Sequence, residues 1–294
     1  MCTNPDRPWP AWDGSFDYDL KSIIGRLEKN QEKIKATDCI YLTGGEPTLH
    51  PHFLDILKYL AKNFPEQRLK ILSNGRRFSY SDFAKKVLGA TDNLEIDMSL
   101  CGPSSQVHDR VTRTAGSFEQ AKKGLVNLLK HKSGSQVVGI RTVLSRITYP
   151  HIGQTLSLLS KEFPSLDRTI VIFMEFEAQA IKNSQAIKIN YGQVRPFIND
   201  VFPLLEKFKE IRFYHFPLCV VDPKLWPYLW RTLPKKEIGF VPACRKCQYK
   251  KLCLGIHKGY LKNISQKDFS PIRRKVELKT SGIIYRPIES VRLD

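Results

Sequence analysis

Apolar residues follow two patterns along this chain, and the patterns alternate. Short runs rich in aliphatic and β-branched residues end at turn residues, as in the stretch from Cys39 to Thr43 before Gly44 and Gly45. Such runs are typical of buried strands. Between them, apolar residues recur three or four positions apart, which is typical of helices with one buried face. The chain is therefore predicted to alternate strand and helix.

The predicted strands cover residues 39–43, 69–73, 94–100, 137–144 and 169–176, and the predicted helices cover residues 19–34, 53–63, 80–88, 118–131, 152–163 and 194–208. Pro203 should kink the last helix, because proline cannot donate the helical hydrogen bond. Ser117, with Gln120 three residues later, predicts a capping box at the start of the helix over 118–131.

Strands that alternate with helices through short connections favour a parallel sheet. The class is therefore α/β, and a partial or full β/α barrel is the expected architecture. Chemistry in such barrels lies at the carboxyl ends of the strands. Three stretches fall at such ends: Gly44 to Glu46, Ser73 to Gly75, and Ser99.

Composition narrows the function classes. The 294 residues include seven cysteines, and this odd number argues for metal binding or buried thiols over a disulfide framework. Residues 1–16 are polar and proline-rich and contain no apolar run of signal-peptide or membrane-spanning length. We therefore expect a soluble, cytoplasmic protein without a membrane partner. The net charge of +18 favours an anionic partner such as RNA, an acidic peptide or an acidic protein, although it also serves solubility alone.

The first chemical motif is the turn after residues 39–43. Gly44 and Gly45 allow close approach of the backbone to a ligand, Glu46 adds a carboxylate, and Pro47 ends the strand. An ammonium group would fit beside this carboxylate. Considered alone, the two glycines favour an ordinary strand-to-helix turn over a ligand-binding turn.

The second motif is a run of three cysteines. Cys244, Cys247 and Cys253 have C-x2-C-x5-C spacing, so three thiolates can reach one metal centre. The fourth ligand is Cys219 or, as the alternative, His257. Spacing alone favours a structural zinc knuckle and an iron-sulfur cluster about equally.

Together these motifs resemble the radical S-adenosylmethionine (SAM) superfamily. The turn over Gly44–Glu46 is similar to the family's glycine-rich motif, which holds the methionyl amine of SAM. The stretch from Ser99 through His108 and Asp109 to Phe118 is also similar, and the family's serine contacts SAM, so the resemblance gives Ser99 that role. Arg141, on a predicted strand, is a candidate for a cofactor or substrate carboxylate. His108 and Asp109 are interpreted as a surface turn without a catalytic role.

The resemblance implies a partial (β/α)6-type TIM barrel over residues 1–214, lacking part of its first strand. Residues 215–294 then form a small cysteine-rich domain similar to the auxiliary SPASM or twitch domains, with a basic tail. There Cys219, Cys244, Cys247 and Cys253 would hold an auxiliary [4Fe-4S] cluster, with zinc as the alternative. The segment from Arg231 to Lys279 contains 14 Lys or Arg and 3 Asp or Glu. This positive charge either partly offsets the negative charge of such a cluster or binds an anionic substrate.

The amino terminus departs from the family. Radical SAM enzymes bind a [4Fe-4S] cluster through a C-x3-C-x2-C loop, and only Cys2 can belong to that loop, as its third member. We expect that the first strand and two ligands precede Met1; the alternative is a relative that has lost this cluster. The chain as written is accordingly expected not to cleave SAM.

The resemblance implies an enzyme in which the cluster and SAM generate a 5′-deoxyadenosyl radical that removes a hydrogen atom from a peptide or protein substrate. It also implies an electron donor of the flavodoxin or ferredoxin type. Two alternatives remain at this point. One is a basic zinc-knuckle protein that binds RNA or a partner without catalysis, and the other is a radical SAM enzyme that modifies RNA.

Overall fold

The computed structural model describes residues 19–276, and its centre is a sheet of seven parallel strands that lie in chain order. The sheet curls into a half-barrel with helices between the strands, which confirms the predicted partial α/β barrel. The strands are β1 (Cys39–Leu42), β2 (Arg68–Ser73), β3 (Leu94–Ser99), β4 (Val137–Leu144), β5 (Arg168–Phe173), β6 (Ile211–Tyr214) and β7 (Leu229–Trp230). A two-stranded antiparallel ribbon follows, formed by β8 (Ile238–Gly239) and β9 (Ile256–His257).

The helices occupy most of the positions predicted from apolar periodicity. They are α1 (Leu20–Lys29), α2 (Gln31–Lys35), α3 (Phe53–Asn63), α4 (Ser81–Leu88), α5 (Ser105–Thr112), α6 (Ser117–His131), α7 (Ile152–Glu162), α8 (Gln179–Lys182), α9 (Ser184–Ile187), α10 (Tyr191–Asp200) and α11 (Lys258–Asn263). No helix in this described part of the chain combines the length and the apolar character that crossing a membrane requires.

Two predicted helices end early. The helix predicted over 19–34 is divided at Asn30, whose side-chain amide donates to the Arg26 carbonyl at 2.9 Å and replaces a continuing helical bond. The helix predicted over 194–208 stops at Asp200, and the chain continues as the 3-10 segment Phe202–Lys207, which contains Pro203. Proline thus ends the α-helix here and does not merely kink it.

The start of α6 also differs from the prediction. Ser117 is the first helical residue, and its N-cap is Gly116 in a left-handed conformation (φ 76°). The predicted capping box is therefore wrong. Asp109, eight residues before Ser117, caps the helix with its side chain. Its carboxylate accepts hydrogen bonds from the Phe118 amide at 2.8 Å and the Ser117 hydroxyl at 2.7 Å. The residue lies on α5, which the apolar pattern did not predict.

The strands have one apolar and one polar face. Leu69 and Ile71 of β2, like Ile96 and Met98 of β3, pack against the helices in one buried cluster. Residues between them point to the concave face, because side chains alternate along a strand. That face is largely polar, with the exception of a small apolar cluster around Ile172.

A buried ion network occupies the concave face near the middle of the sheet. The Asp97 carboxylate on β3 lies 2.9 Å from the Lys70 ammonium on β2 and 3.3 Å from the Arg168 guanidinium on β5. Glu95 adds contacts of 3.1 Å to Lys70 and 2.6 Å to Arg168. Gly139 on the intervening β4 leaves room for this network, since a Cβ atom there would lie 2.3 Å from an Asp97 oxygen.

One hydrophobic cluster joins the carboxyl-terminal half of the barrel to the cysteine-rich segment. Phe173 and Tyr191 belong to it, and so do Tyr249, Leu254 and Tyr260. The described part of that segment therefore packs directly on the barrel. The domain boundary after residue 214 stays a prediction.

We predict that Asp97→Ala lowers the free energy of unfolding by about 3–5 kcal/mol, because it leaves Lys70 and Arg168 buried without their main counter-charge. Burial acts to raise the pKa of Asp97, but Lys70 and Arg168 outweigh it and lower this pKa. The contribution is thus present at neutral pH and is lost as the pH falls through the lowered pKa of the folded state. Urea denaturation at several pH values measures both effects.

The matched control is Asp82→Ala, which removes a carboxylate whose side chain is 88% exposed and lies 3.9 Å from Lys85. Its effect should stay within about 0.5 kcal/mol. Asp97→Asn keeps the shape of the side chain, so its loss in free energy of unfolding should lie between those of Asp97→Ala and Asp82→Ala. Equal stability of the Asp97→Ala and Asp82→Ala proteins would contradict the proposed importance of the network.

Candidate functional site

The turn that follows β1 has an open backbone at the carboxyl end of the sheet. Gly44 has φ +152°, a conformation that side-chain-bearing residues rarely adopt, and nothing lies within 4 Å of the position that a Cβ atom would occupy. A ligand can therefore approach this backbone closely. Gly45 follows directly, before the extended residue Glu46.

The Glu46 carboxylate ties the end of β1 to the end of β2. One of its oxygens accepts hydrogen bonds from the Thr48 amide (3.2 Å), the Thr48 hydroxyl (2.7 Å) and the Ser73 hydroxyl (2.8 Å). The other accepts one bond, from the Asn74 amide at 2.6 Å. A carboxylate offers about four acceptor sites, so this arrangement leaves room for about one further donor, at the second oxygen. Glu46 thus positions the strand ends and keeps a single free acceptor position.

Ser99 and Arg141 lie side by side at the same edge of the sheet. The two residues are register partners on β3 and β4 and both point to the concave face. Ser99 is exposed and Arg141 is half-buried. Both lie two residues nearer the carboxyl ends of their strands than Asp97 and its partner Gly139. Neither side chain hydrogen-bonds to another group within residues 19–276. An unpaired guanidinium at the mouth of a barrel can bind a carboxylate bidentately.

An acid and a histidine lie at the ends of β5 and β6. Glu175 follows β5 and His215 follows β6, and the side chain of His215 is only 5% exposed. The sequence predicts that Glu175 or Glu177, near the end of the strand over 169–176, lines the cavity, but it did not indicate His215. The signal available for His215 was its position just after an apolar run, where barrel strands end.

The four cysteines of the second motif lie in one neighbourhood. Cys219 is in the 3-10 segment Leu218–Val220, Cys244 is in the 3-10 segment Pro242–Lys246, and Cys247 follows it. All four, including Cys253, are half-buried, form no disulfide and pack against the same hydrophobic cluster. They lie close enough for the other three to affect the Cys219 thiol, and their role as metal ligands stays a prediction.

Burial raises the pKa of Cys219 to about 12, and the charge of Cys253 adds to the effect. Burial likewise raises the pKa values of Cys244 and Cys253. The raised pKa values keep these groups as neutral thiols, and deprotonating all four would need a cationic centre to offset the repulsion between thiolates. Within residues 19–276, however, no three His, Cys, Asp or Glu side chains converge closely enough to hold a single metal ion.

The alternative fourth ligand is engaged elsewhere. His257 is buried, and its Nε2 atom lies 2.9 Å from a carboxylate oxygen of Glu177, which is about half exposed. The pair stands beyond β5, at the mouth of the half-barrel.

The remaining motif residues have structural roles. His108 is buried and accepts a hydrogen bond from the Cys101 amide at 3.1 Å through Nδ1, while Asp109 caps α6. Both are satisfied within the fold, as expected of residues without a catalytic role, although His108 is buried and not on a surface turn. Cys39 is the first residue of β1, and Cys2 lies outside the described residues.

Comparisons with known proteins agree with this architecture. Residues 1–159 match the model of the radical SAM superfamily. The chain is 30% identical over 141 residues to the mycofactocin maturase MftC of Mycobacterium tuberculosis, a stretch that covers 48% of this chain and 33% of the relative. It is also 30% identical over 111 residues to the GTP 3′,8-cyclase of Pasteurella multocida, covering 38% of this chain and 31% of that enzyme. The matched stretches therefore span about a third of each curated relative.

The chain is also similar to solved structures, at lower identity. The crystal structure of Streptococcus suis SuiB bound to S-adenosylmethionine has a TM-score of 0.47 and 14% identity, covering 65% of this chain and 39% of SuiB. The structure of anSMEcpe with bound AdoMet and Kp18Cys peptide has a TM-score of 0.45 and 18% identity, covering 63% of this chain and 54% of that chain.

The family model covers more than half of the 294 residues, and the strand order and the glycine-rich turn after β1 are those expected of that family. This chain belongs to the radical SAM superfamily.

Proposed function

We propose that this enzyme modifies a peptide or protein by a radical reaction and that SAM binds at the carboxyl ends of β1 to β4. When bound, SAM and the [4Fe-4S] cluster of the family supply a 5′-deoxyadenosyl radical. The chain's own residues bind and orient: the backbone at Gly44 and Gly45 with the free acceptor position of Glu46 takes the methionyl amine. Ser99 and Arg141 offer a hydroxyl and a guanidinium for the rest of the cofactor.

The observation that supports this assignment most is the set of hydrogen bonds around Glu46. Four donors from Thr48, Ser73 and Asn74 fix its carboxylate, so that its remaining acceptor position has one defined location beside the open backbone of Gly44. A pre-organised acceptor loses little entropy when a ligand amine binds. Cys2 stays a predicted ligand of the SAM-binding cluster.

We further propose that Cys219, Cys244, Cys247 and Cys253 hold an auxiliary [4Fe-4S] cluster. In such a cluster each thiolate binds a different iron, so the four sulfurs stand further apart than the four ligands of one zinc ion. Four thiols that share a neighbourhood without converging on a single-ion site suit the cluster better than zinc. His257 is paired with Glu177, which favours Cys219 as the fourth ligand.

A peptide or protein substrate is favoured over RNA by two considerations. The relative with 30% identity over 141 residues is named a maturase, and the cysteine pattern resembles the auxiliary domains of peptide-modifying members of the family. The basic charge then suits an acidic peptide and an acidic electron donor of the flavodoxin or ferredoxin type. Free thiols and the cluster chemistry fit a reducing, cytoplasmic setting. The alternative of a non-catalytic zinc-knuckle protein is not favoured, because the chain belongs to the radical SAM superfamily.

The first test is SAM cleavage. We expect the polypeptide encoded by the complete reading frame that contains this sequence to form 5′-deoxyadenosine after anaerobic reconstitution with iron and sulfide and reduction with dithionite. Cys2→Ser should abolish this activity, because it removes a cluster thiolate. Cys39→Ser, at the first residue of β1, should retain it. Peptides encoded by neighbouring short reading frames are then screened by mass spectrometry for a change in mass.

A second test concerns Glu46. We expect Glu46→Ala to weaken SAM binding at least about tenfold, equivalent to about 1.4 kcal/mol, because four donors lose their acceptor and the ends of β1 and β2 separate. Isothermal titration calorimetry with SAM measures the change. Glu66→Ala, at an exposed position, is the control. Unchanged affinity in the Glu46→Ala protein would place SAM elsewhere.

The third test concerns the auxiliary cluster. Cys253→Ala should remove about four iron and four sulfide per chain, since one missing thiolate destabilises the cluster. Cys101→Ala, which removes a thiol that lies outside the cysteine motif, should not change the iron content. Zinc without sulfide at this site would instead show that the four cysteines bind a structural zinc ion.

A further inference from the structure

The chain places an acid, a histidine and a hydroxyl at the carboxyl ends of β5, β6 and β7, away from the glycine-rich turn. Glu175 follows β5, His215 follows β6, and Thr232 follows β7. None of the three belongs to a motif that the family resemblance covers. Because chemistry in β/α barrels occurs at this edge, their association bears on the reaction.

His215 has a strained backbone. Its φ is +69°, a left-handed conformation that costs a residue with a side chain on the order of 1–3 kcal/mol. The Tyr191 hydroxyl donates to the His215 carbonyl at 2.7 Å and holds the peptide in place. Strain that the surroundings maintain in this way is concentrated at functional sites in proteins.

Two contacts fix the imidazole of His215. Nδ1 lies 3.1 Å from the Phe173 carbonyl, which can only accept, so Nδ1 carries the proton. Nε2 lies 3.0 Å from the Thr232 hydroxyl and 3.6 Å from a carboxyl oxygen of Glu175. Burial lowers the pKa of His215 to about 3, so the ring is neutral and the Nε2 lone pair accepts the hydrogen bond from the Thr232 hydroxyl. The Glu175 oxygen packs beside this atom, beyond hydrogen-bond distance.

Glu175 is the solvent-facing member of the set. Its side chain is 27% exposed, and in the described part of the chain it forms an ion pair with no lysine or arginine within 4.0 Å. The titratable groups that face it are His215 from the end of β6, His257 from β9 and Arg141 from β4. Burial raises the pKa of Glu175, and the charges of His257 and Arg141 only partly oppose this effect.

We propose that Glu175, which packs against the His215 ring that Thr232 holds, exchanges a proton with the substrate at the mouth of the half-barrel. This inference rests on the proposed function and adds a catalytic residue to it. His215 and Thr232 are positioning residues, since neither needs to touch the substrate. The substrate accordingly carries an oxygen, nitrogen or sulfur atom beside the carbon that loses its hydrogen atom.

The step is a proton transfer and moves no electron. In one direction the O–H bond of the Glu175 carboxyl breaks, and the proton bonds to a lone pair on the substrate heteroatom. Glu175 becomes a carboxylate, which the nearby Arg141 stabilises, and the substrate gains one positive charge. In the other direction the substrate heteroatom gives up its proton to the carboxylate. Burial of the carboxyl beside the neutral His215 ring favours the acid form.

Infrared spectroscopy of the protein without SAM tests the acid form directly. Protein with 13C-labelled glutamate should show an isotope-sensitive carboxylic-acid C=O band that persists well above pH 4.5, the ordinary Glu value. Glu175→Gln should remove this band. His215→Asn should shift its disappearance to lower pH, and asparagine tolerates the left-handed backbone better than most residues, so the fold is retained.

The matched control is Glu177→Gln, which alters a carboxylate two residues away that pairs with His257 at 2.9 Å. It should leave the band in place. Persistence of the band in the Glu175→Gln protein, or its loss at ordinary carboxyl pH in the wild type, would overturn the assignment. These measurements need no SAM cleavage, so their failure is distinct from a failure of the proposed function.

The catalytic role is tested with the peptide found in the mass-spectrometric screen. Glu175→Gln should lower the yield of modified peptide per 5′-deoxyadenosine by about 100-fold, the usual contribution of a general acid or base. Radical formation itself does not use this carboxyl, so 5′-deoxyadenosine should still accumulate. Equal yields in the Glu175→Gln and Glu177→Gln proteins would reduce Glu175 to a structural residue.

Discussion

The contact of Asp97 with Lys70 and Arg168 holds the half-barrel together across four strands. Asp97 on β3 reaches Lys70 on β2 directly and Arg168 on β5 across β4. That reach is possible only because β4 has Gly139 at the crossing point, where any Cβ atom would occupy the space of the carboxylate. The network places charged groups at a depth where a barrel usually has aliphatic layers. It thereby links the concave sides of β2, β3 and β5 beneath the strand ends that form the candidate site.

The two proposed reaction groups lie at the same edge but are held in different ways. On the β1 side, Glu46 accepts four hydrogen bonds and fixes a turn whose glycine backbone is open. On the β6 side, a strained His215 is held by Tyr191, Phe173 and Thr232. In both cases, hydrogen bonds to residues elsewhere in the fold stabilise the backbone conformation. Such pre-organisation is what a reaction that must exclude water requires.

The sequence was sufficient to predict the architecture because strand and helix periodicity are local signals. Residues 53–63 and 137–144 form the predicted elements with the predicted bounds. The incorrect predictions concern helix ends that depend on the hydrogen bond of one side chain. Asp109 caps α6 in place of Ser117, and the side-chain amide of Asn30 ends α1. The polar concave face was visible as charges at every second position of β2 and β3, but which of them meet depends on Gly139. The pairing of Glu175 with His215 joins residues 40 positions apart, and no periodicity shows it.

Tyr191 connects the cysteine site mechanically to the mouth of the half-barrel. Its ring stacks on Phe173 at 3.9 Å, and burial raises its pKa well above the ordinary value, with smaller effects from Tyr260, Cys219 and Cys253. Its hydroxyl donates to the carbonyl of His215, the strained residue that packs beside Glu175. Because protein interiors are closely packed, a substitution at this one ring should disturb both the cysteine segment and the mouth of the half-barrel.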